Sequence, residues 1–486
     1  MADYDLAIIG GGLNGVSLAR DAAGRGLRVI LFEQGDLGSA ASSATPRLIH
    51  GDLSVLERRG FWRVRRALAE RRIWLRIAPH LVRPMRFAIP AHSEERPPWL
   101  LRAGLYVYDC LTNRGGLPPS STLDITHHPV GDALKRPFGM AFEYSDCVVD
   151  DSRLVVLTAL DAAERGAAIR TGARCIRADR TDTWRLAVVD RGIRRTITSR
   201  ALANAAGGWT AMVADTVLRQ QQAPMAAMQM SQIVVPKLFE PDTVYVFQNN
   251  DGRLIFARPF ERDFTLIGMV TRAFTGDPAI VAMPSADVSY LCDAASRYFR
   301  ERVAPADVVR TVSGVNLTLA SARGRDGTTL FHARRRKAPL ITMVGGDVTT
   351  SRLRAERAVT KLTPFYPMSR PWTAGAALPG GDFAWDRFDH QVDLARDRWR
   401  FLSEPEAHRL VGAYGSRLPA VLGEAKSRDE LGPAFGPELT AAEVRYLMAH
   451  EWARFPEDVL WRRSKLGLTM PAADRDALAA FMANVM

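Results

Sequence analysis

Between Ala7 and Glu33 the chain spells out a strand, a glycine turn, a helix, a second strand and an acid. The apolar run Ala7-Ile8-Ile9 leads directly into Gly10-Gly11-Gly12-Leu13-Asn14-Gly15. A helical segment then reaches a second apolar run, Val29-Ile30-Leu31-Phe32, closed by Glu33. This is the spacing of a dinucleotide-binding βαβ unit. Gly10 permits the tight turn, Gly12 lets a pyrophosphate approach the backbone, and Gly15 lets the helix pack on the strand. The helix N-terminus offers N–H groups and the positive end of its dipole to phosphates. Glu33 stands where it accepts hydrogen bonds from an adenosine ribose. A glycine motif alone is weak, and an ordinary glycine-rich turn is the bland alternative. The flanking strands and the terminal acid favour the nucleotide.

With 486 residues the chain exceeds a single simple core, so two or three domains are expected. A hydrophobic fraction of 47% and a charged fraction of 24% are those of a globular protein. Cys110, Cys147, Cys175 and Cys292 show no C-x-x-C spacing, so neither a disulfide framework nor a metal site is expected. Met1-Ala2-Asp3-Tyr4-Asp5 runs straight into the first strand, leaving no room for a signal peptide. No apolar run is long enough to span a bilayer. The expectation is a cytoplasmic protein, or one peripheral on the inner face of the cytoplasmic membrane.

The formal net charge of +12 is unevenly spread. Arginines crowd residues 58–86, interleaved with Phe61, Trp62, Leu68, Ile73, Trp74, Leu75 and Ile77, and an apolar-aromatic piece follows from Trp99 to Tyr108. A basic amphipathic helix with tryptophans on its other face suits an anionic membrane surface, and a solvated helix suits the same residues equally well. No nucleic-acid motif accompanies the charge, so nucleic acid is not an expected partner.

Helical periodicity runs from about Leu53 to Ile77 and from Leu154 to Ala168. Short strands are expected near 173–177, 185–190 and 196–198. Further strands at 232–236, 243–248, 254–257 and 265–269 suit an antiparallel sheet. Ala338 to Val344 reads as a buried strand stopped by Gly345-Gly346, after a hairpin turn at Arg334-Arg335-Arg336-Lys337. The proline- and glycine-bearing stretch 367–381 reads as a linker to a helical C-terminal part that ends in an amphipathic helix at 473–486.

Several longer blocks carry a resemblance: Asp21-Ala22-Ala23-Gly24-Arg25-Gly26-Leu27; Ser42-Ser43-Ala44 with Leu48-Ile49-His50-Gly51; and Phe142-Glu143-Tyr144-Ser145-Asp146-Cys147 with Val149-Asp150-Asp151. To these add Asn204-Ala205 before Gly207 and Trp209, Gly345-Gly346 before Thr349-Thr350, and His450-Glu451-Trp452 with Leu460-Trp461-Arg462-Arg463. Through these blocks, over nearly its whole length, the chain resembles the aerobic FAD-dependent glycerol-3-phosphate dehydrogenases. The resemblance implies an α/β fold: an FAD-binding Rossmann-like domain (about 1–80, 145–210 and 335–366) interleaved with an antiparallel-sheet substrate domain (about 81–144 and 211–334). A linker at 367–381 and a helical C-terminal domain at 382–486 follow. It implies FAD as cofactor, held by Gly10, Gly12, Leu13, Asn14, Gly15, Glu33, Ser42, Ser43, Leu48, His50, Ala206, Gly207, Gly346, Val348 and Thr349. It implies hydride transfer from a secondary alcohol, glycerol 3-phosphate in the family, to the flavin N5. Expected partners are a small-molecule substrate, a quinone or another electron acceptor, an anionic membrane surface, and a second copy of the chain in a homodimer.

The substrate-pocket positions depart from the family pattern. An arginine and a tyrosine of that pattern are Ser54 and Val55; its proton-transferring histidine is Gln232. The polar pair of its Gly-Thr-Thr-Asp turn is replaced by Met269-Val270-Thr271 after Gly268. Its phosphate-binding arginine is Asn316, and its lysine after the glycine pair is Asp347. Of its substrate cations, Arg325 is retained. Three positive charges thus leave and one negative charge enters. At an effective dielectric near 20, one unit charge at about 4 Å is worth roughly 4 kcal/mol. Affinity for a phosphate dianion must fall, and Gln232 cannot take a proton as a histidine can. Gln232, Arg325, Asp347 and Asn316 are the candidate catalytic residues. Asp347 reads either as a base or ammonium ligand or as a helix cap; Asp52, beside His50, is a base or a cap. Three readings stay open: a glycerol-3-phosphate dehydrogenase with a drifted pocket, an oxidoreductase for a less anionic alcohol or amine, and a non-catalytic flavoprotein.

Overall fold

Strand Tyr4–Ile9, helix Leu13–Gly24 and strand Val29–Glu33 form the opening unit that the spacing dictates. They belong to a computed structural model that describes residues 2–57, 60–91, 98–135, 139–220, 223–249, 251–320, 327–334 and 337–485. Val29–Glu33 and Ile193–Asn204 flank the first strand in parallel, with Leu6 opposite Val29 and Ala201. Ala168–Thr171 and Lys337–Val344 extend this parallel core on either side. Their side chains are apolar on both faces because both are covered: on one, strands Ala173–Arg180 and Trp184–Asp190 bring Cys175, Trp184, Leu186 and Val188 with Val213 and Val217, and helices pack on the other. Helices Leu13–Gly24, Asp151–Glu164 and Ser351–Thr360 pack there around Leu6, Ile8, Val16, Leu154, Val359 and their neighbours.

A second sheet of antiparallel strands lies across the nucleotide layer. Its order runs Arg310–Leu319, Met225–Pro236, Phe264–Ala273, Leu254–Phe260, Thr243–Gln248, Val82–Pro90, Met140–Val149. One pair, Thr243–Gln248 with Val82–Pro90, is parallel. The strands are longer than the apolar runs suggested, because pairing carries them past their buried segments. Met225–Pro236 begins seven residues before Gln232, and the expected short strand at 196–198 is the middle of Ile193–Asn204. Ser285–Tyr298 covers the outer face of this sheet.

Two helical expectations are corrected. The single helix from Leu53 to Ile77 is two, Leu53–Glu57 and Phe61–Ile77. Gly60 between them donates to Val55 O (3.0 Å), and a Cβ there would stand 2.5 Å from Val55 Cγ1, so the chain doubles back too tightly for a continuous helix. The tryptophans do not share a face: Trp74 is buried with its indole N–H donated to Thr349 O (2.9 Å), whereas Trp62 is 75% exposed. Helix Asp151–Glu164 starts earlier than its apolar period, because Asp150 caps it by accepting from Arg153 N (3.1 Å), and it ends before 168.

The stretch 367–381 is strapped to the first helix. Trp372 donates to Asp21 O (3.2 Å) and lies where a Cβ on Gly24 would sit. Residues from Phe388 to Met482 then gather a separate apolar core of short helices. Buried charge joins it to the nucleotide layer: Arg153 on Asp151–Glu164 pairs with Glu451 (2.9 Å) and donates to Ala413 O (2.7 Å), and Arg463 grips Asp36 (2.8 Å). The blocks around Glu451 and Arg463 thus hold the C-terminal part against the nucleotide layer.

Candidate active site and nucleotide cradle

The glycine turn forms a cradle by excluding side chains. A Cβ on Gly10, whose φ is +109°, would meet Ala205 O at 2.4 Å, and one on Gly15 would meet Gly10 O at 1.9 Å. Gly12 precedes the helix without any side-chain cap, so the first helical N–H groups turn outward. One of them, Leu13 N, reaches Ser42 Oγ at 3.0 Å. The Glu33 carboxylate accepts from Gly11 N (2.6 Å) and Gly35 N (2.8 Å). Burial pushes its carboxyl up, against the downward pull of those N–H groups.

These groups open onto a cavity of about 500 Å³. Of the expected cofactor residues, Gly10, Gly12, Leu13, Asn14, Glu33, Ser42, Ala206 and Gly207 line it. Gly15 sits behind it as the packing glycine. The cavity also takes in residues the sequence reading did not single out, among them Arg174, Ser313 and Gly314. They come from strand ends and loops whose only shared property is arriving at one place. Gly314 lets the second sheet close over the loop, since a Cβ there would stand 2.7 Å from Ala41 Cα. A bare glycine turn, a helix end with glycine at its N-cap and a cleft of this size fit FAD.

The remaining expected contacts fall in two groups. Leu48 and Val348 bury their side chains in the core. Ser43 donates to Ala40 O (3.2 Å) and braces the loop. His50, Gly346 and Thr349 converge: Thr349 Oγ1 accepts from His50 N (3.2 Å), and Gly346 O accepts from the Asn316 amide (3.2 Å). Gly345 and Gly346 both have positive φ (+61° and +118°). Arg354, seven residues after Asp347 on the following helix and missed in the sequence, holds this turn by donating to Gly345 O (2.8 Å) and Asn14 Oδ1 (3.2 Å).

The candidate catalytic side chains are engaged by the protein itself. Gln232 is buried and donates to Thr45 O (2.8 Å). Asp347 accepts from Thr350 N and Thr350 Oγ1, both at 2.7 Å, just ahead of helix Ser351–Thr360. Asp52 accepts from Ser54 N (3.1 Å) and Ser54 Oγ (2.6 Å), as a cap. Arg325 lies outside the described residues.

His50 and Asp52 line a second, smaller cavity of about 70 Å³, walled by Leu53, Phe142, Tyr144, Val246, Phe256 and others. Cross-strand register ties it to Gln232, because Gln232 stands opposite Gly268 and Gly268 opposite Phe256. The loop leading to His50 is anchored at both ends by residues of the Phe142-to-Asp151 block. Asp151 accepts from Thr45 N (3.2 Å) and Thr45 Oγ1 (2.8 Å). Gly51 N donates to the Tyr108 hydroxyl (2.8 Å), which donates to Asp146 (2.6 Å), and Asp146 is ion-paired with Arg71. All four are buried. Burial pushes the Asp146 carboxyl up, with the Arg71 guanidinium opposing it.

Comparison with known proteins agrees with this architecture. Residues 5–351 match the FAD dependent oxidoreductase family, and residues 372–486 match the C-terminal domain of alpha-glycerophosphate oxidase. A glycerol-3-phosphate dehydrogenase of Pseudomonas aeruginosa is 42% identical, covering 99% of this chain and 95% of that protein. A D-erythritol 1-phosphate dehydrogenase of Brucella abortus is 38% identical, covering 99% and 98%. The FAD-complexed glycerol-3-phosphate dehydrogenase structure from Bacillus halodurans shares the fold with a TM-score of 0.80 at 24% identity, covering 100% of this chain and 91% of that one. The chain therefore belongs to the FAD-dependent glycerol-3-phosphate dehydrogenase family and is an FAD-dependent oxidoreductase acting on CH–OH groups.

Proposed function

We propose that this enzyme oxidises a secondary alcohol carbon of a small polyol that is less anionic than glycerol 3-phosphate. The observation that carries the reading is the state of three positions that bear cations in the family pattern. Ser54 bonds Asp52, Asn316 holds Gly346 O, and Asp347 accepts from Thr350, so none offers a charged donor to a phosphate and one adds negative charge. The cation at the neighbouring turn, Arg354, is engaged in holding Gly345. A phosphate dianion in a partly buried site needs several charge-assisted donors.

FAD, when held in this cradle, would supply the hydride acceptor for the alcohol carbon. In this reading Gly10, Gly12 and the helix N-terminus would hold the pyrophosphate and Glu33 the adenosine ribose, while Ser42, Ser43, His50 and the Gly345-Gly346 turn would flank the ring. His50, which lines the smaller cavity, accepts the alcohol proton, because Gln232 has no basic atom. Anaerobic mixing with polyols and their phosphates tests the substrate. Bleaching of the flavin band by an unphosphorylated polyol and weak bleaching by glycerol 3-phosphate are expected. Fast bleaching by glycerol 3-phosphate at modest concentration refutes the charge argument.

The electron acceptor we propose is a membrane quinone, reached from a docked position on an anionic surface. Helices Phe61–Ile77 and Pro98–Cys110 share one apolar core, yet they expose Phe61 (45%), Trp62 (75%), Trp99 (71%), Leu100 (50%) and Tyr106 (67%). Arg65 lies against Trp62, so cation and aromatic face outward together. Among the described residues no helix is long and apolar enough to cross a membrane. Co-sedimentation with anionic vesicles, weakening as salt rises, is expected; absence of binding at low salt removes the docking reading.

A further inference from the structure

Strand Leu254–Phe260 turns Phe256, Arg258 and Phe260 onto the sheet face that meets the nucleotide layer. Phe256 lies against His50, with ring centroids 6.4 Å apart. Arg258 does not follow it toward that cavity. Its guanidinium carbon lies 5.6 Å from the Phe260 ring, over which Arg47 also sits, at 4.7 Å. Two guanidiniums thus share one ring where the second sheet meets the C-terminal part.

Arg258 is only 7% exposed. Among the described residues it has no hydrogen-bond acceptor and no carboxylate at ion-pairing distance. Its Nε is sealed away without a partner, whereas its two Nη groups keep contact with solvent. The carboxylates nearby are engaged elsewhere: Asp151 pairs with Arg47 (3.3 Å) and Asp150 with Lys465. Glu261, three residues on, acts on Arg258 only from beyond ion-pairing range. Arg310 adds a further cation at this junction, stacked 3.4 Å over Trp461. Burial and then the Arg47 charge push the Arg258 guanidinium down to about 9, and burial lowers Lys465 and Arg310 as well. The cations here outweigh what neutralises them.

We propose that Arg258, with Arg47 beside it, is the anchor of a small phosphoryl dianion, free or esterified, at a site separate from the flavin. A guanidinium left charged and buried is costly unless an anion meets it, and its planar fork matches two oxygens of a phosphoryl group. The solvent contact of the Nη pair is the side from which such an anion arrives. The site does not depend on the substrate reading above.

Thermal melts of the FAD-loaded protein at constant ionic strength test it, with inorganic phosphate, glycerol 3-phosphate and chloride as separate arms. Inorganic phosphate is expected to raise the melting temperature saturably where chloride does not; a rise with the ester alone identifies the esterified form as the ligand. Arg258→Met should abolish the phosphate response while flavin content and flavin reduction by substrate stay unchanged. Arg258→Lys should weaken the midpoint by about tenfold, since the ammonium keeps charge without the fork, and it carries the test should the Met variant fail to fold. A phosphate response kept in Arg258→Met, or equal responses to chloride and both phosphates in the unmodified protein, overturns the proposal. So does loss of flavin reduction in Arg258→Met with its flavin retained, which would place Arg258 in the reaction site.

Discussion

Removing one oxygen atom from Tyr108 tests whether the buried chain behind His50 positions the reaction site. The Tyr108 hydroxyl accepts from Gly51 N at 2.8 Å and donates to Asp146 at 2.6 Å, while its ring stands edge-on to Tyr144 at 5.7 Å. Tyr108→Phe keeps the ring and deletes both bonds. Gly51 N–H is then buried without an acceptor, at about 1–3 kcal/mol, and Asp146 loses a charge-assisted donor worth about 1.5–3 kcal/mol, leaving Arg71 and its other contacts. A loss of about 3 kcal/mol in stability follows, because the two penalties overlap in one network. Urea unfolding followed by tryptophan fluorescence measures it. Gly51 neighbours His50, so flavin reduction by substrate should also slow by about tenfold with FAD content unchanged, as expected when a reacting group is held less firmly. Tyr144→Phe is the matched control: a buried tyrosine in the same cluster whose hydroxyl makes no hydrogen bond among the described residues. It should stay within about 0.5 kcal/mol of the parent. A cost below about 1 kcal/mol for Tyr108→Phe, or an equal cost for both variants, refutes the assignment.

Other perturbations probe separate parts of the fold. His80 is buried with both ring nitrogens unpartnered, and burial followed by Arg153 holds its pKa down to about 3. The unfolded chain therefore binds the proton first: stability is full above about pH 6.5 and falls as pH drops toward 3, by up to about 1.4 kcal/mol per unit, and His80→Leu should flatten that part of a melting-temperature profile. Gly15→Ala places a methyl 1.9 Å from Gly10 O, so the purified variant should carry little FAD by absorbance. Glu451→Ala strands the buried Arg153 guanidinium and should cost about 3–5 kcal/mol in urea unfolding, whereas the double change with Arg153→Met should recover part of it.

How far the sequence could be read follows the range of the physics involved. Gly10, Gly12 and Gly15 were legible because their reason is local: a left-handed φ, a close carbonyl and a helix start all lie within six residues. Apolar runs located the strands but not their ends, because the outer residues of Met225–Pro236 are held by pairing with Arg310–Leu319 rather than by burial. The break at Gly60 was missed because arginines and apolar residues keep helical spacing across it, and only the closeness of Val55 shows the turn. Asp146, Tyr108 and Arg71 were invisible as a unit, since their separations of 38 and 75 residues follow no period.

The same distinction bears on the site's charge. Matching a sequence to a family pattern asks what stands at positions where the family keeps a cation, and at 54, 316 and 347 the answer is serine, asparagine and aspartate. That procedure does not ask which cations other parts of the chain bring to the site. Arg354 enters the glycine turn from one helical face, and Arg258 enters the sheet from a strand that reads as a plain apolar segment. Both are found only by following guanidinium groups to their surroundings. Coulomb energy depends on where charge ends up and on the dielectric around it, not on which residue number supplies it. The electrostatics of this pocket therefore have to be argued from placed side chains. Arg354 holds backbone oxygens and leaves the expected weakness toward a phosphate dianion standing, whereas Arg258 is the unpartnered buried guanidinium on which the proposed anion site rests.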